Sequence, residues 1–248
     1  MVSGGPMYYM KKRLNINLSN GKVIKTGKWL GIFFAVATVF SSFGTGNLPQ
    51  INSIANSVNA TFGIKNIVTG AILAVLLAIV IIGGIKRIAS VTEKIVPFMA
   101  VIYILACLVV MFAHASYIDD AIALIIREAF SPSAGLGGFF GVLITGFRRA
   151  VFSNEAGAGS AAIAHSAVKT RYPASEGIVS LLEPFIDTVI ICTMTALVLI
   201  ITNIDGGFID YGSADVGGIE LTATAFNSTI PYFDWVLMVA AVLFAIST

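Results

Sequence analysis

Long apolar runs, interrupted at a few polar places, organise the chain. The first run extends from Trp29 to about Phe62 and opens WLGIFFAVATVFSSFGTG. A helix needs roughly 20 mostly apolar residues to cross the hydrocarbon of a bilayer. This run is longer than one crossing requires, so it predicts a long, tilted helix. Further spans are predicted over 67–85, 95–114, 137–168, 177–202 and 235–248. Pro97 suits the first turn of the third, where no amide donor is needed. The fourth is broken at 153–159 by SNEAGAG. The sixth stops at Thr248 while still apolar and reads as a cut span. Residues 117–130, YIDDAIALIIREAF, differ from the spans. Ile118, Ala121, Ile122, Ile125, Ile126 and Phe130 recur at helical spacing, and Asp119, Asp120, Arg127 and Glu128 line the other side. That pattern predicts an amphipathic helix lying at the interface or packed on the bundle.

Composition agrees with the pattern. The 248 residues are 57% hydrophobic and 11% charged, against about 25% charged in a soluble domain. A soluble globular or disordered chain is excluded, and the bilayer is the expected surrounding. Fifteen basic against thirteen acidic residues leave a net charge of +2, too little for a nucleic-acid partner. Residues 1–28 have no long apolar core ahead of their basic cluster, so they are not a secretory signal. They read as a cytoplasmic segment, with 29–248 as the transmembrane domain. Lys11, Lys12, Arg13, Lys22, Lys25, Lys28, Lys86, Arg87, Lys94, Lys169 and Arg171 fall in alternating loops. The positive-inside rule therefore places the N-terminal segment in the cytoplasm. Cys107 and Cys192 sit inside apolar runs without CxxC or histidine partners and read as small hydrophobes, not metal ligands.

Three places break the apolar pattern within spans. In FGTGNLPQINSIANS (43–57), Gly44, Gly46 and Pro49 loosen the helix, while Asn47, Gln50, Asn52 and Ser53 put polar groups at membrane depth. They read either as interhelical glue or as a polar wall of a solute site. The second place is SNEAGAGS, 153–160, preceded by Arg148, Arg149, Ala150, Val151 and Phe152. A Gly-rich break frees backbone groups, which are tolerated at depth only against protein or a watery cavity. Discontinuous helices of this kind bind solutes in secondary transporters, and a half-helix starting near Gly159 would direct its amides at an anionic group. A simple kink or a pair of re-entrant segments is the alternative. The third is charge within spans: Arg148, Arg149, Glu155, Glu183 and Asp187. Such groups are costly and usually pair in the bundle interior. Glu183 and Asp187 are four apart and share a helix face. Glu155 or Asp187 is expected to pair with an arginine. His165 reads as a satisfied bundle histidine and His114 as inert at the outer interface. HExxH, GxxxxGK[ST] and GxSxG are absent, and GTGNLPQ is not a dinucleotide fingerprint.

The stretches GGPMYYM, SFGTGNLPQINSIANSV, GGIKRIASVTEKIVPFMAVIYI, RRAVFSNEAGAGSAAIAHSAVKT and FIDTVIICTMTALVLIIT resemble successive blocks of the alanine or glycine:cation symporters, the sodium:alanine symporter family. The FSNEAGAGS block is the most specific, and the resemblance covers nearly the whole chain. It implies an all-α polytopic membrane protein with part of a leucine-transporter-like fold, built from two five-helix inverted repeats. About six transmembrane helices would be present, corresponding to the family's third through eighth, one of them broken. The chain would then be an internal fragment lacking the first two helices and the C-terminal part.

The resemblance further implies a secondary active symporter of the plasma (inner) membrane. It would carry a small neutral amino acid, alanine or glycine, inward with sodium, or in some members with protons. It would have no cofactor beyond the coupling ion and no enzymatic step. Gln50, Asn52, Phe152, Ser153, Asn154, Ala156, Gly157 and Thr248 would contact substrate. Ser247 and Thr248 would lie near sodium. Arg148, Arg149, Glu155 and Asp187 would form an intramembrane charge network. Glu183 departs from the family pattern, where a small or apolar residue is expected. An ion channel and a non-transporting membrane scaffold are the rival readings.

Overall fold

A computed structural model describes residues 4–17, 20, 22–45, 48–130, 143–144, 146–147, 150, 153–209 and 218–247. The chain is mostly helical and divides into two compact units, Met1–Thr45 with Pro132–Cys192 and Gly46–Ser131 with Thr193–Thr248.

In the first unit, helix α1 (Pro6–Arg13) starts with proline in its first turn, where the missing amide costs nothing. Strands β1 (Ile16–Asn17) and β2 (Val23–Ile24) follow, paired antiparallel with Ile16 opposite Ile24. The segment 1–28, read from sequence as a cytoplasmic N-terminal segment, carries this helix and the paired strands. Helix α2 (Thr26–Thr45) packs against α1. Gly27 and Gly31, one helical turn apart, make that approach possible. A Cβ on Gly27 would stand 2.0 Å from the Met10 carbonyl oxygen, and one on Gly31 would stand 2.7 Å from that of Met7. The two one-turn helices α7 (Glu155–Ala158) and α8 (Ala161–Ala164) lie in the same unit. So do α9 (Pro173–Ser180), α10 (Leu182–Pro184) and a π-helical stretch Phe185–Cys192.

The second unit holds α3 (Leu48–Phe62), α4 (Asn66–Ile81), α5 (Gly84–Ala113), α6 (Ile118–Ala129), α11 (Thr193–Gly206), α12 (Gly218–Asn227) and α13 (Phe233–Ser247). Its main core joins Cys107 and Val110 of α5, Val198 of α11, Phe226 of α12 and Phe233 of α13. The Phe226 and Phe233 rings stack at 4.7 Å, and Tyr103 adds a hydroxyl 2.6 Å from Thr195 Oγ1. A second cluster forms from Ile54, Val58 and Leu73. Helix α5 begins at Gly84, whose φ of +69° turns the chain out of α4. It thus starts well ahead of Pro97, which lies inside the helix and removes one interior hydrogen bond. Helix α11 ends at Gly207 (φ +59°), whose amide bonds to the Asn203 carbonyl, while Asn203 Oδ1 accepts the Ile209 amide. Helix α6 covers the amphipathic stretch, with Ala121 buried and α11 as its packing partner.

Among the described residues, three helices are long and apolar enough to cross a bilayer: Thr26–Phe43, Arg87–Ala113 and Pro173–Gly206. Asn66–Ile81 is a shorter apolar helix. Helix α2 carries Phe33, Val36, Phe40 and Phe43 on one stripe at helical spacing, and all four are exposed. A soluble helix turns such a stripe inward; an outward one suits lipid. The chain is a multi-pass membrane protein by this measure.

Candidate functional site

The polar break in the fourth predicted span is a single helical turn with its own start and stop. Asn154 is the N-cap: its Oδ1 accepts the Gly157 amide at 3.3 Å. Gly159 is the stop: its φ is +79°, and its amide bonds to the Glu155 carbonyl at 2.9 Å. Helix α8 then starts after Ser160, whose hydroxyl donates to Glu155 Oε2. The SNEAGAGS pattern is thus local grammar, a capping residue and a left-handed glycine five positions apart.

The helix that follows in sequence holds this turn. Pro184 has no amide hydrogen to give, and the wider π register begins at the next residue. The stretch presents Glu183, Asp187 and Thr188 to the turn. Ser153 Oγ donates to Asp187 Oδ2 at 2.5 Å. Asn154 Nδ2 donates to Thr188 Oγ1 at 3.4 Å. The Glu155 amide donates to Glu183 Oε1 at 3.0 Å. His165, just after α8, lies between two carboxylates. Its Nδ1 is 2.6 Å from Glu176 Oε1 and its Nε2 is 3.9 Å from Glu183 Oε2. His165 is therefore a partnered histidine.

Of the residues singled out in the sequence, Ser153, Asn154, Glu155, Gly157 and Asp187 meet in this one unit. Arg148, Arg149, Phe152 and Thr248 lie outside the described residues, and only the backbone is described for Ala156 and Ser247. Gln50 and Asn52 belong to the other unit, on α3. Among the described residues, Gln50 Oε1 is buried without a hydrogen-bond partner, as are Ser57 Oγ and Thr69 Oγ1. Gln50 and Ser57 are seven apart and share one face of α3. Buried polar atoms left unpaired are costly, so this face calls for a polar partner. Asn52 is exposed.

Nothing in the sequence points to the hold of Glu183 on the Glu155 amide or to the part played by Thr188. The four-residue spacing of Glu183 and Asp187 placed them on one face, but no side-chain pattern points to a backbone amide as the acceptor's partner. His114 also has partners that its position did not suggest, with Nε2 3.4 Å from Asp205 Oδ2 and Nδ1 3.4 Å from Thr229 Oγ1. Nearby, Tyr117 donates a hydrogen bond to Asp205, and that carboxylate holds the phenol above its ordinary pKa.

A sequence profile described as the sodium:alanine symporter family matches residues 1–248. The chain is similar to the sodium/alanine symporter AgcS of Methanococcus maripaludis, with 43% identity over 248 residues, covering 100% of this chain and 52% of AgcS. It is 35% identical over 249 residues to the putative sodium/proton-dependent alanine carrier protein YrbD of Bacillus subtilis, covering 97% of this chain and 49% of YrbD. It is 34% identical over 228 residues to the probable sodium/glutamine symporter GlnT of the same organism, covering 92% of this chain and 44% of GlnT. The chain spans about half the length of these relatives.

Proposed function

The chain belongs to the sodium:alanine symporter family, and from that premise we propose that it forms part of a secondary active, cation-coupled amino-acid symporter of the cell membrane. The observation that carries this reading is the capped turn Asn154–Gly159, set in an otherwise apolar stretch and held by a second helix. An interruption built this way keeps polar groups at membrane depth without unravelling the helix that follows it, which is what a solute site needs.

In this reading the full-length protein has the leucine-transporter-like inverted-repeat fold, with the N-terminal segment of this chain in the cytoplasm. The transported solute is a small neutral amino acid, alanine or glycine. The name of GlnT adds glutamine as a competitor to test. Gln50, Asn52, Phe152, Ser153, Asn154, Ala156, Gly157 and Thr248 contact the amino acid. Ser247 and Thr248 offer oxygens to sodium. Arg148 and Arg149 balance Glu155 and Asp187. Solute and cation bind together and each raises the other's affinity by the same factor. Rocking of one helix set against another then exposes the site to the opposite side. No bond is made or broken.

The test is uptake of labelled alanine, glycine and glutamine by the full-length protein in sealed vesicles, under an inward sodium gradient, a proton gradient or neither. Saturable, sodium-driven alanine uptake is expected. Uptake indifferent to both gradients would overturn the coupling, and conductance without saturable uptake would make the protein a channel.

A further inference from the structure

The turn that carries the proposed site is anchored by a carboxylate to which the symport reading gives no role. Glu183 reaches back 28 positions to Glu155 and uses its two oxygens separately. Oε1 accepts the Glu155 amide at 3.0 Å, the first amide of the one-turn helix α7. Oε2 faces His165 Nε2 at 3.9 Å. The other ring nitrogen faces Glu176 Oε1 at 2.6 Å, so the imidazole is oriented from its far side. Glu183, His165 and Glu176 are 34%, 27% and 18% exposed, half-shielded from solvent together. The Glu155 side chain turns instead to Ser160, whose hydroxyl donates to Glu155 Oε2.

A turn of four residues has too few internal hydrogen bonds to hold its own position. Its placement must come from outside, and the bond from the Glu155 amide to Glu183 Oε1 supplies it. Asp187 and Thr188 hold the side chains of Ser153 and Asn154, but Glu183 holds backbone. We propose that Glu183 is the positioning residue of the broken segment: it fixes the first amide of the turn with one oxygen, while its other oxygen faces His165, itself held by Glu176. The transport consequence rests on the symport reading; the anchoring itself does not. The departure of Glu183 from the small or apolar residue expected there is then an added tether, not an intrusion.

The experiment compares the full-length wild type with Glu183→Gln and Glu183→Leu by two readouts: hydrogen exchange at the Glu155 amide, and the KM and maximal rate of sodium-driven alanine uptake. Glutamine keeps an acceptor oxygen for the amide, and leucine keeps only bulk. Glu183→Leu is expected to speed exchange and raise KM by about tenfold each, with the maximal rate changed by less than about twofold. Glu183→Gln is expected to recover most of both, which a general loss of folding would not allow. Wild-type exchange in Glu183→Leu, or a Glu183→Gln variant as impaired as Glu183→Leu, would overturn the proposal. Should the wild type show no cation-driven uptake, the symport reading falls and the exchange measurement alone decides on Glu183.

Discussion

Asn154 Oδ1 accepts the amide of Gly157 at 3.3 Å, a side chain standing in for the missing previous turn of the helix. With Gly159 closing the same turn at φ +79°, the interruption has a defined beginning and end. A kink caused by one proline or one glycine would have neither. The positions of Ser153 to Gly157 are therefore set by hydrogen bonds that single substitutions can remove.

Removing the cap tests this first. Asn154→Ala should cost the turn about 1 kcal/mol of local stability. Its Nδ2 bond to Thr188 is lost with it. Alanine KM in the full-length protein should rise several-fold, while Asn154→Ser, which keeps an acceptor, should lie between the two. Unchanged KM in Asn154→Ala would separate the cap from the site.

Gly159 tests the stop signal. A Cβ there would meet Phe34 Cε2 at 3.6 Å and Cζ at 3.8 Å, ordinary contacts. The penalty of Gly159→Ala is then backbone conformation alone, about 1–2 kcal/mol for an L-residue in the left-handed region. Thermal unfolding of the purified full-length protein should move down. Gly70→Ala, in helix α4 with open space around it, should be neutral or stabilising.

Much of this organisation is legible in the sequence, and the parts that are not have physical reasons. The helical character follows from the apolar runs. The turn at 153–159 is legible because asparagine and glycine are punctuation at short range. Other features depend on partners distant in the chain. The start of α5 at Gly84 hides in a stretch whose Lys86, Arg87 and Lys94 look like a loop. The β1–β2 hairpin is two residues per strand, too short for alternation to register. The Glu183 tether joins a side chain to a backbone amide 28 residues away, and a backbone amide leaves no mark on composition.

The seat of α1 on α2 gives a third test. A methyl group on Gly27 would overlap the Met10 carbonyl, and backbone cannot step aside as a long side chain can. Gly27→Ala should lift α1 from α2. Limited proteolysis within residues 14–25 of the full-length protein should be faster in the variant. Equal cleavage would mean that α1 tolerates the added carbon.

Tyr117 gives a test by titration. Asp205 accepts its hydrogen bond and repels the phenolate, so the phenol stays protonated beyond its ordinary value near 10. A folded-state pKa above the unfolded one gives a contribution that is complete below the unfolded value and is lost as pH rises through the folded one. The absorbance titration of the full-length protein minus that of Tyr117→Phe should show one phenol ionising late. A difference curve centred at or below the ordinary value would contradict the pairing.

In the proposed symporter, one site binds amino acid and cation together. The most direct measurement is the alanine affinity of the purified full-length protein at a series of sodium concentrations, paired with sodium affinity at a series of alanine concentrations. The account predicts that each ligand tightens the other by the same factor, about 5–150-fold in typical coupled systems, and that Asn154→Ala weakens alanine binding at every sodium concentration. Alanine binding that is independent of sodium, with sodium binding independent of alanine, would contradict it.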